Sequence, residues 1–200
     1  MKKSAFTMIE LIIVIVVAGI LAVAMMPKLD GDPLRDGANQ VVRHIQYAQH
    51  LAMVNDVYNA GVDWEKAYWH ISFRTDAEKC YIVASDNDLS GGISQTEAAY
   101  DPLSKQYLYS STSCTENVLN NNDLFLNTKY DISTVSLSES CQGGNNYIAF
   151  DNFGRPLKTR NASDFITAPC TITLSNGERS AVITVEPETG YTRITAIDDL

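Results

Sequence analysis

The chain lacks the short motifs that identify most classes of enzyme. It contains no G-x-S-x-G, no phosphate-binding loop, no H-E-x-x-H and no G-x-G-x-x-G. The three histidines do not form a metal-binding set, because His44 and His50 lie on different faces of a predicted helix and His70 lies in a predicted strand. We therefore expect ordinary surface or half-buried histidines, and we predict a protein that is not an enzyme and requires no cofactor.

Basic residues are scarce relative to acidic ones. Fifteen Lys and Arg stand against 24 Asp and Glu, which gives a formal net charge of −9. Such a surface keeps a protein soluble and argues against broad, nonspecific attraction to nucleic acid or anionic lipid. The chain contains no internal repeat, and its 200 residues are enough for a membrane anchor and one globular core.

Long apolar runs are absent except near the start. Residues 11–26 are all apolar or glycine, and Pro27 ends the run. As an α-helix, residues 6–26 would reach about 31 Å, close to the hydrocarbon thickness of a bilayer. Lys2 and Lys3 precede this segment. We therefore predict a transmembrane helix with its short N-terminus in the cytoplasm and the remaining chain outside the inner membrane.

Glu10 is the anomaly of this helix. A charged side chain inside a membrane helix costs roughly 2.5–3.5 kcal/mol on insertion scales, so it usually has a partner. The helix itself contains no basic residue that could serve. If the peptide bond between Ala5 and Phe6 is cut, the new α-amine of Phe6 lies one helical turn before Glu10. That amine, from the same or a neighbouring subunit, could pair with the carboxylate.

The N-terminal residues resemble a known family. Lys-Lys-Ser-Ala, then Phe-Thr-Met-Ile-Glu-Leu and a long apolar helix, is similar to the N-terminus of type IV pilins and type II secretion pseudopilins. The resemblance implies that a prepilin peptidase cuts between Ala5 and Phe6 and methylates the new amine. It also implies that Glu10 guides the subunit into a helical filament with other pilin or pseudopilin subunits. The family usually has Gly before the cut, where this chain has Ala5.

Two simpler interpretations of the N-terminus compete with this one. An ordinary secretory signal peptide could be cut after Ala22-Val23-Ala24, leaving a chain that starts at Met25. Its apolar region would exceed the usual length of about 7–15 residues and would contain an unexpected Glu. A plain membrane anchor explains the apolar length but leaves Glu10 unexplained.

The rest of the chain predicts an α+β fold. After an interruption at Asp30-Gly31-Asp32-Pro33, apolar residues recur at three- and four-residue steps over residues 35–55, which indicates an amphipathic helix. The period then changes to two, which indicates strands. We predict strands at 68–73, 80–84, 124–126, 132–137, 147–150, 171–174, 181–185 and 191–196, the last three forming an antiparallel meander through turns at 176–177 and 187–190. Residues 86–146 are rich in Ser, Asn, Asp and Tyr, so most of this segment is predicted to be an irregular surface insertion.

The expected organisation follows from these segments. Residues 1–5 form a leader, residues 6–29 a transmembrane and filament-core helix, and residues 30–200 a periplasmic globular domain. The helix at residues 38–53 and the C-terminal sheet are similar to those of H-type minor pseudopilins. The resemblance implies a pilin-like fold, in which the long N-terminal helix is followed by the second helix packed on an antiparallel sheet.

The four cysteines form no C-x-x-C motif, which argues against a zinc ribbon or a thioredoxin-like site. Outside the inner membrane, an oxidising compartment favours two structural disulfides among Cys80, Cys114, Cys141 and Cys170. Three pairings are possible. A polar loop region between Cys114 and Cys141 favours that pair, which would leave Cys80 with Cys170.

Residues 86–97 match the ligand spacing of a calcium-binding EF-hand loop. Asp86, Asp88, Ser90 and Glu97 occupy the first, third, fifth and twelfth positions, and Gly91 occupies the sixth. Oxygen ligands suit a hard cation, and glycine permits the sharp turn. A strand precedes the loop and no flanking helices are evident, so a solvated turn is the alternative.

A short basic cluster follows the predicted turn at 151–154, and it contains Arg155, Lys158 and Arg160. Such a cluster could contact phosphate, and relatives in DNA uptake bind DNA through basic surface residues. The acidic remainder of the chain favours a solvated loop instead.

We therefore expect a filament subunit, a minor pseudopilin or minor pilin held in the inner membrane before assembly. A minor pilin for DNA uptake or adhesion is the alternative with the same architecture. An alternative of another class is a membrane-anchored or secreted calcium-binding module, in which Glu10 would have no role.

Overall fold

The computed structural model divides the chain into two compact units, residues 1–32 and residues 33–200. Within them, the structure describes residues 7–24, 31–54, 66–75, 78–111, 114, 121–141, 146–160 and 163–199. In these ranges the first unit contains one α-helix, and the second contains two α-helices and ten strands.

Helix α1, Met8–Ala24, forms the first unit. Apart from Glu10, its residues are apolar or glycine, which favours a helix that presents no polar face. A helix is therefore confirmed over residues 8–24, whereas both ends of the predicted segment 6–29 lie outside the described residues. Among the helices in the described ranges, none combines the length and the apolar character needed to cross a membrane.

Helix α2, Pro33–Val54, begins the second unit. Proline is the first helical residue. An N–H at this position would have no partner within the helix, so proline, which lacks the N–H, costs no intrahelical hydrogen bond. The buried side chains recur at three- and four-residue steps, and they are Leu34, Gly37, Ala38, Val41, His44, Ile45, Ala48 and Ala52. The predicted amphipathic helix is therefore confirmed, and its buried face packs on strands of the sheets described next.

The strands of the second unit are all antiparallel. Their bounds are Trp69–Arg74 (β1), Cys80–Ser85 (β2), Tyr100–Asp101 (β3), Gln106–Tyr107 (β4), Thr134–Leu137 (β5), Tyr147–Phe150 (β6), Pro156–Leu157 (β7), Cys170–Ser175 (β8), Arg179–Val185 (β9) and Thr192–Asp199 (β10). One sheet has the order β2-β1-β6-β7 and a second the order β10-β9-β8-β5, while β3 and β4 form a short hairpin. The α+β class is confirmed, and the strands form two four-stranded sheets where one sheet was predicted.

The second sheet contains the predicted C-terminal meander. Strands β8, β9 and β10 pair in order, and Ile172, Ile183 and Ile194 align across the three strands. Asn176, Gly177 and Glu178 connect β8 to β9, at the place where the Asn-Gly signal predicts a hairpin turn. Ile172 and Ile183 are fully buried, so alternation along these strands directs one set of side chains into the core.

The predicted surface insertion between residues 86 and 146 is partly wrong, because several of its apolar side chains are in the core. Leu108, Leu124 and Leu126 are all fully buried. The Val83 N–H donates to the Leu108 carbonyl at 3.0 Å, and the Leu108 N–H donates to the Ala99 carbonyl at 2.7 Å. These hydrogen bonds hold the segment against β2, so its apolar residues complete the core there.

The strand predicted at residues 124–126 is also wrong. A 3-10 helix occupies Asn122–Leu124 and helix α3 occupies Leu126–Tyr130. The Asn121 side chain accepts a hydrogen bond from the Asp123 N–H at 2.9 Å, which favours the helical turn over an extended strand. The turn after α3 lies close against α2 at Gly37, where an added Cβ would be 2.7 Å from Ile132 Cδ1.

The first cysteine of the chain pairs with the second and the third pairs with the fourth, which gives the disulfides Cys80–Cys114 and Cys141–Cys170. Two disulfides from four cysteines were predicted correctly, but the favoured pairing of Cys114 with Cys141 and Cys80 with Cys170 was wrong. The reason is strand pairing. Cys141 follows β5, which pairs with β8, and Cys170 begins β8, so the two Cα atoms lie only 4.9 Å apart.

Removing the second disulfide should destabilise the protein measurably. The Cys141→Ala/Cys170→Ala variant should lose about 3–4 kcal/mol of unfolding free energy, because the disulfide closes a loop of 29 residues in the unfolded chain. Urea unfolding of the full chain in non-ionic detergent measures the loss. Non-reducing peptide mapping of the wild type is the control for pairing, and a peptide linking Cys114 to Cys141 would contradict the structure.

Candidate functional site

The N-terminus of α1 places Glu10 in a capping arrangement. Thr7 precedes the first helical residue, and the Glu10 N–H donates to Thr7 Oγ1 at 3.3 Å. In return, the Thr7 N–H reaches Glu10 Oε2 at 3.5 Å. This reciprocal pair is a capping box, and it also puts a negative charge at the positive end of the helix dipole. The sequence signal was the Thr-x-x-Glu spacing before the apolar run, which the sequence analysis missed.

The apolar side chains of α1 are exposed. Over residues 7–21 every side chain is exposed, and Ile9, Val14 and Ile20 have exposed fractions of 67%, 59% and 65%. Exposed apolar surface of this extent marks a site of contact with other proteins or with a membrane. Glu10 is the only charged residue between residues 7 and 24.

The predicted processing site, Ala5 and Phe6, lies outside the described residues. Cleavage and methylation there therefore stay predictions from the sequence.

The loop between β2 and β3 brings three of its four predicted ligands together. One carboxylate oxygen from each of Asp86, Asp88 and Glu97 lies within 4.8 Å of those of the other two. The hydroxyl of Ser90, the fourth predicted ligand, accepts a hydrogen bond from the Gly92 N–H at 3.3 Å. Residues 86–97 are called the acidic loop below.

Hydrogen bonds within the acidic loop hold its carboxylates in place. The Asp86 Oδ2 atom accepts from the Gly91 N–H at 3.0 Å, and Asp88 Oδ1 accepts from the Ser90 N–H at 2.9 Å. Glu97 Oε1 accepts from the Asn87 N–H at 3.1 Å. Burial raises the pKa of Asp86, whereas hydrogen bonds from Ser90 lower the pKa of Asp88.

The predicted basic cluster is separated in the structure. The Arg155 Nε atom donates to Asp151 Oδ2 at 2.8 Å, and its guanidinium lies 4.3 Å from the centre of the Phe165 ring. Arg160 instead reaches the acidic loop, with Nη2 at 3.7 Å from Asp86 Oδ2 and 2.6 Å from the Gly91 carbonyl oxygen. Lys158 is half-buried. Two of the three basic side chains are therefore engaged within the chain.

Two of the three histidines are buried, contrary to the surface or half-buried positions predicted for them. His44 has 6% of its surface exposed and His70 has none, while His50 is exposed. The His44 Nδ1 atom lies 2.8 Å from the Tyr81 hydroxyl, and His70 Nδ1 lies 3.2 Å from the Tyr68 carbonyl oxygen. Burial is the main cause that lowers the pKa of each histidine to about 4, so both are neutral at pH 7.

His44 borders an open cleft of about 420 Å³ between α2 and the β3–β4 hairpin. Its polar lining combines both signs of charge and includes Arg43, Asp101 and Asp123. The two Asp101 carboxylate oxygens accept hydrogen bonds from the backbone N–H groups of Leu103 and Ser104, each at 3.0 Å. These contacts give Asp101 a structural role in the hairpin turn.

Comparison with known proteins gives a match for the N-terminal segment. Residues 1–26 match a family model described as the prokaryotic N-terminal methylation motif. No curated protein and no solved structure matches the chain. The match covers about an eighth of the sequence and ends before α2 begins. The chain thus carries the N-terminal methylation motif of type IV pilins and pseudopilins, which implies processing by a prepilin peptidase.

Proposed function

We propose that the chain is a non-enzymatic structural subunit of a type II secretion or type IV pilus-like filament. It would be a minor pseudopilin or minor pilin similar to the H type, cut between Ala5 and Phe6. The observation that carries this proposal is Glu10, the one charged residue of a helix whose apolar side chains are exposed. The methylation motif over residues 1–26 supports it.

Before assembly, residues 6–29 would anchor the subunit in the inner membrane. The run from Phe6 to Met26 is long enough as a helix to span a bilayer, and Lys2 and Lys3 would hold the leader in the cytoplasm. Residues 30–200 would then lie in the periplasm. The two disulfides suit that oxidising compartment.

In the filament, the exposed apolar side chains of α1 would pack against the α1 helices of neighbouring subunits. The Glu10 carboxylate would pair with the methylated amine of Phe6 on a neighbour. Pairing a charge in a low-dielectric environment favours assembly, because the carboxylate is costly there without a partner. The capping box remains compatible with this role, since a carboxylate has about four acceptor positions.

Processing tests the proposal directly. In cells with the prepilin peptidase, intact mass and N-terminal sequencing of the purified chain should show a start at methylated Phe6. In cells without the peptidase, the chain should keep residues 1–5. A start at Met25 would instead identify an ordinary signal peptide, and an uncut chain in both strains would identify a plain anchor.

The minor pilin of DNA uptake or adhesion remains the alternative within this architecture. Arg155 and Arg160 are engaged with Asp151 and Asp86, which reduces the positive charge that they could offer to phosphate. Binding of duplex DNA with a steep salt dependence would favour this alternative.

A further inference from the structure

The acidic loop concentrates negative charge in a small volume. Asp86 directly follows β2, Asp88 lies in the next turn, and Glu97 is the last residue of a short 3-10 helix, Gln95–Glu97. One carboxylate oxygen from each lies within 4.8 Å of those of the other two. Like charges at this separation repel one another, so a nearby positive charge would stabilise the arrangement.

One oxygen of the Asp86 carboxylate, Oδ1, is the part of this cluster that lacks a hydrogen-bond partner among the described residues. Only 1% of the Asp86 surface is exposed. Its Oδ2 atom accepts a hydrogen bond from Gly91, but its Oδ1 atom is buried and has no hydrogen-bond partner among the described residues. A buried, unpaired carboxylate oxygen is unfavourable, and a bound cation would supply what it lacks.

Arg160 compensates part of the negative charge. Its Nη2 atom lies 3.7 Å from Asp86 Oδ2 and donates to the Gly91 carbonyl oxygen at 2.6 Å. With the three carboxylates ionised, one guanidinium leaves two negative charges uncompensated. That residual charge matches a divalent cation.

We propose that the acidic loop binds Ca²⁺ through Asp86, Asp88 and Glu97. The three side chains occupy the first, third and twelfth positions of the loop, which are ligand positions in EF-hand loops. Gly91, at the sixth position, has a φ of +83°, a conformation that favours glycine and makes the sharp turn that such loops require.

The ligand chemistry favours calcium over magnesium. All three side chains offer hard carboxylate oxygens, and calcium accepts six to eight oxygens in flexible geometry. Magnesium demands a near-octahedral site with shorter bonds and keeps more of its water. The loop comes from a periplasmic domain in our proposal, where modules with dissociation constants of about 0.1–1 mM are effective. The calcium site itself does not depend on that location or on filament assembly.

Calorimetric titration of the full chain in non-ionic detergent, freed of metal, tests the site. With CaCl₂ at pH 7.5 we expect one site with a dissociation constant of about 0.1–1 mM. At 5 mM CaCl₂ the Tm should rise by about 5 °C, because the ion binds only the folded chain. MgCl₂ at the same concentration should give less than half of this rise.

Matched variants locate the site. Asp86→Asn and Glu97→Gln should each weaken calcium binding about tenfold or more and remove most of the rise in Tm. Asp131→Asn makes the same chemical change at an exposed residue after α3, and it should bind calcium like the wild type. Asp88→Asn alters an exposed side chain, so it tests the site even if the buried Asp86 variant fails to fold.

Two results would overturn the proposal. One is the absence of both a heat signal and a Tm shift for the wild type at 10 mM CaCl₂. The other is calcium binding by folded Asp88→Asn and Glu97→Gln variants with the affinity of the wild type, because the ion would then occupy another place.

Discussion

Replacing Glu10 by Gln should reduce incorporation of the subunit into filaments about 100-fold or more. Glutamine retains an oxygen that can accept from Thr7, so the capping box at the start of α1 can persist. The substitution removes the negative charge and, in the proposed filament, would leave the Phe6 amine of the neighbour unpaired. Breaking a desolvated charge pair typically costs about 3–5 kcal/mol, which corresponds to roughly 150- to 5,000-fold in an equilibrium constant.

Thr7→Ala is the matched control for this prediction. It removes the side-chain acceptor for the Glu10 N–H and keeps the carboxylate. Losing a capping side chain costs about 1 kcal/mol of helix stability, so incorporation should fall less than tenfold. Immunoblots of sheared filaments, normalised to the membrane fraction, measure both variants. If Thr7→Ala fails and Glu10→Gln assembles normally, Glu10 serves to cap the helix, and the charge-pair proposal is wrong.

Acidification should destabilise the domain through its two buried histidines. Burial lowers the pKa of His44 and of His70 to about 4, whereas an unfolded histidine has a pKa of about 6.5. Between these values the unfolded chain binds a proton that the folded chain does not, so stability falls as the pH falls from about 6.5 to 4. The loss should approach about 3 kcal/mol for each histidine.

The surroundings of each ring explain why it remains neutral. A neutral His44 with its proton on Nδ1 can donate to the Tyr81 hydroxyl and accept from Gln40 Nε2 at 3.2 Å. Asp101 and Asp123 partly oppose the effect of burial on the pKa of His44. For His70 the hydrogen bond to the Tyr68 carbonyl partly opposes the effect of burial on the pKa, Arg160 and Arg74 lower the pKa further, and the Nε2 atom lacks a hydrogen-bond partner among the described residues.

The variant His70→Phe isolates the contribution of His70 to the pH dependence of stability. It keeps an aromatic ring in β1 and removes the group that titrates, so about half of the loss between pH 7 and pH 4.5 should disappear. His50→Gln, at an exposed position of α2, should leave the pH dependence unchanged. Urea unfolding of the full chain at pH 4.5, 5.5 and 7.0 measures the effect. An unchanged pH dependence in His70→Phe would show that His70 is not the titrating group.

Local patterns in the sequence predict those structural features whose formation depends on residues close together in the chain. The stripe on α2 comes from the helical period of its apolar residues, and the Asn176-Gly177 turn specifies a hairpin between β8 and β9. The methylation motif likewise occupies one continuous segment, residues 1–26. Such features could be predicted because each depends on spacing within a few turns or strands.

The disulfide pairing and the role of Arg160 depend on contacts between distant segments. Cys141 reaches Cys170 because β5 pairs with β8, and no local pattern records which strands pair. Arg160 lies 69 residues from Gly91 in the sequence, so its place on the acidic loop could not be predicted from the basic cluster alone.

The sequence by itself determined the helix at the start of the chain, the amphipathic face of α2, the C-terminal meander and the EF-hand-like spacing of oxygen-bearing side chains in residues 86–97. Only the tertiary structure decided the burial of His44 and His70, the partner of each cysteine, and the meeting of Arg160 with Asp86. The physical reason is that spacing along the chain determines local hydrogen bonds and the direction of side chains, whereas burial and charge pairing depend on which distant segments pack together.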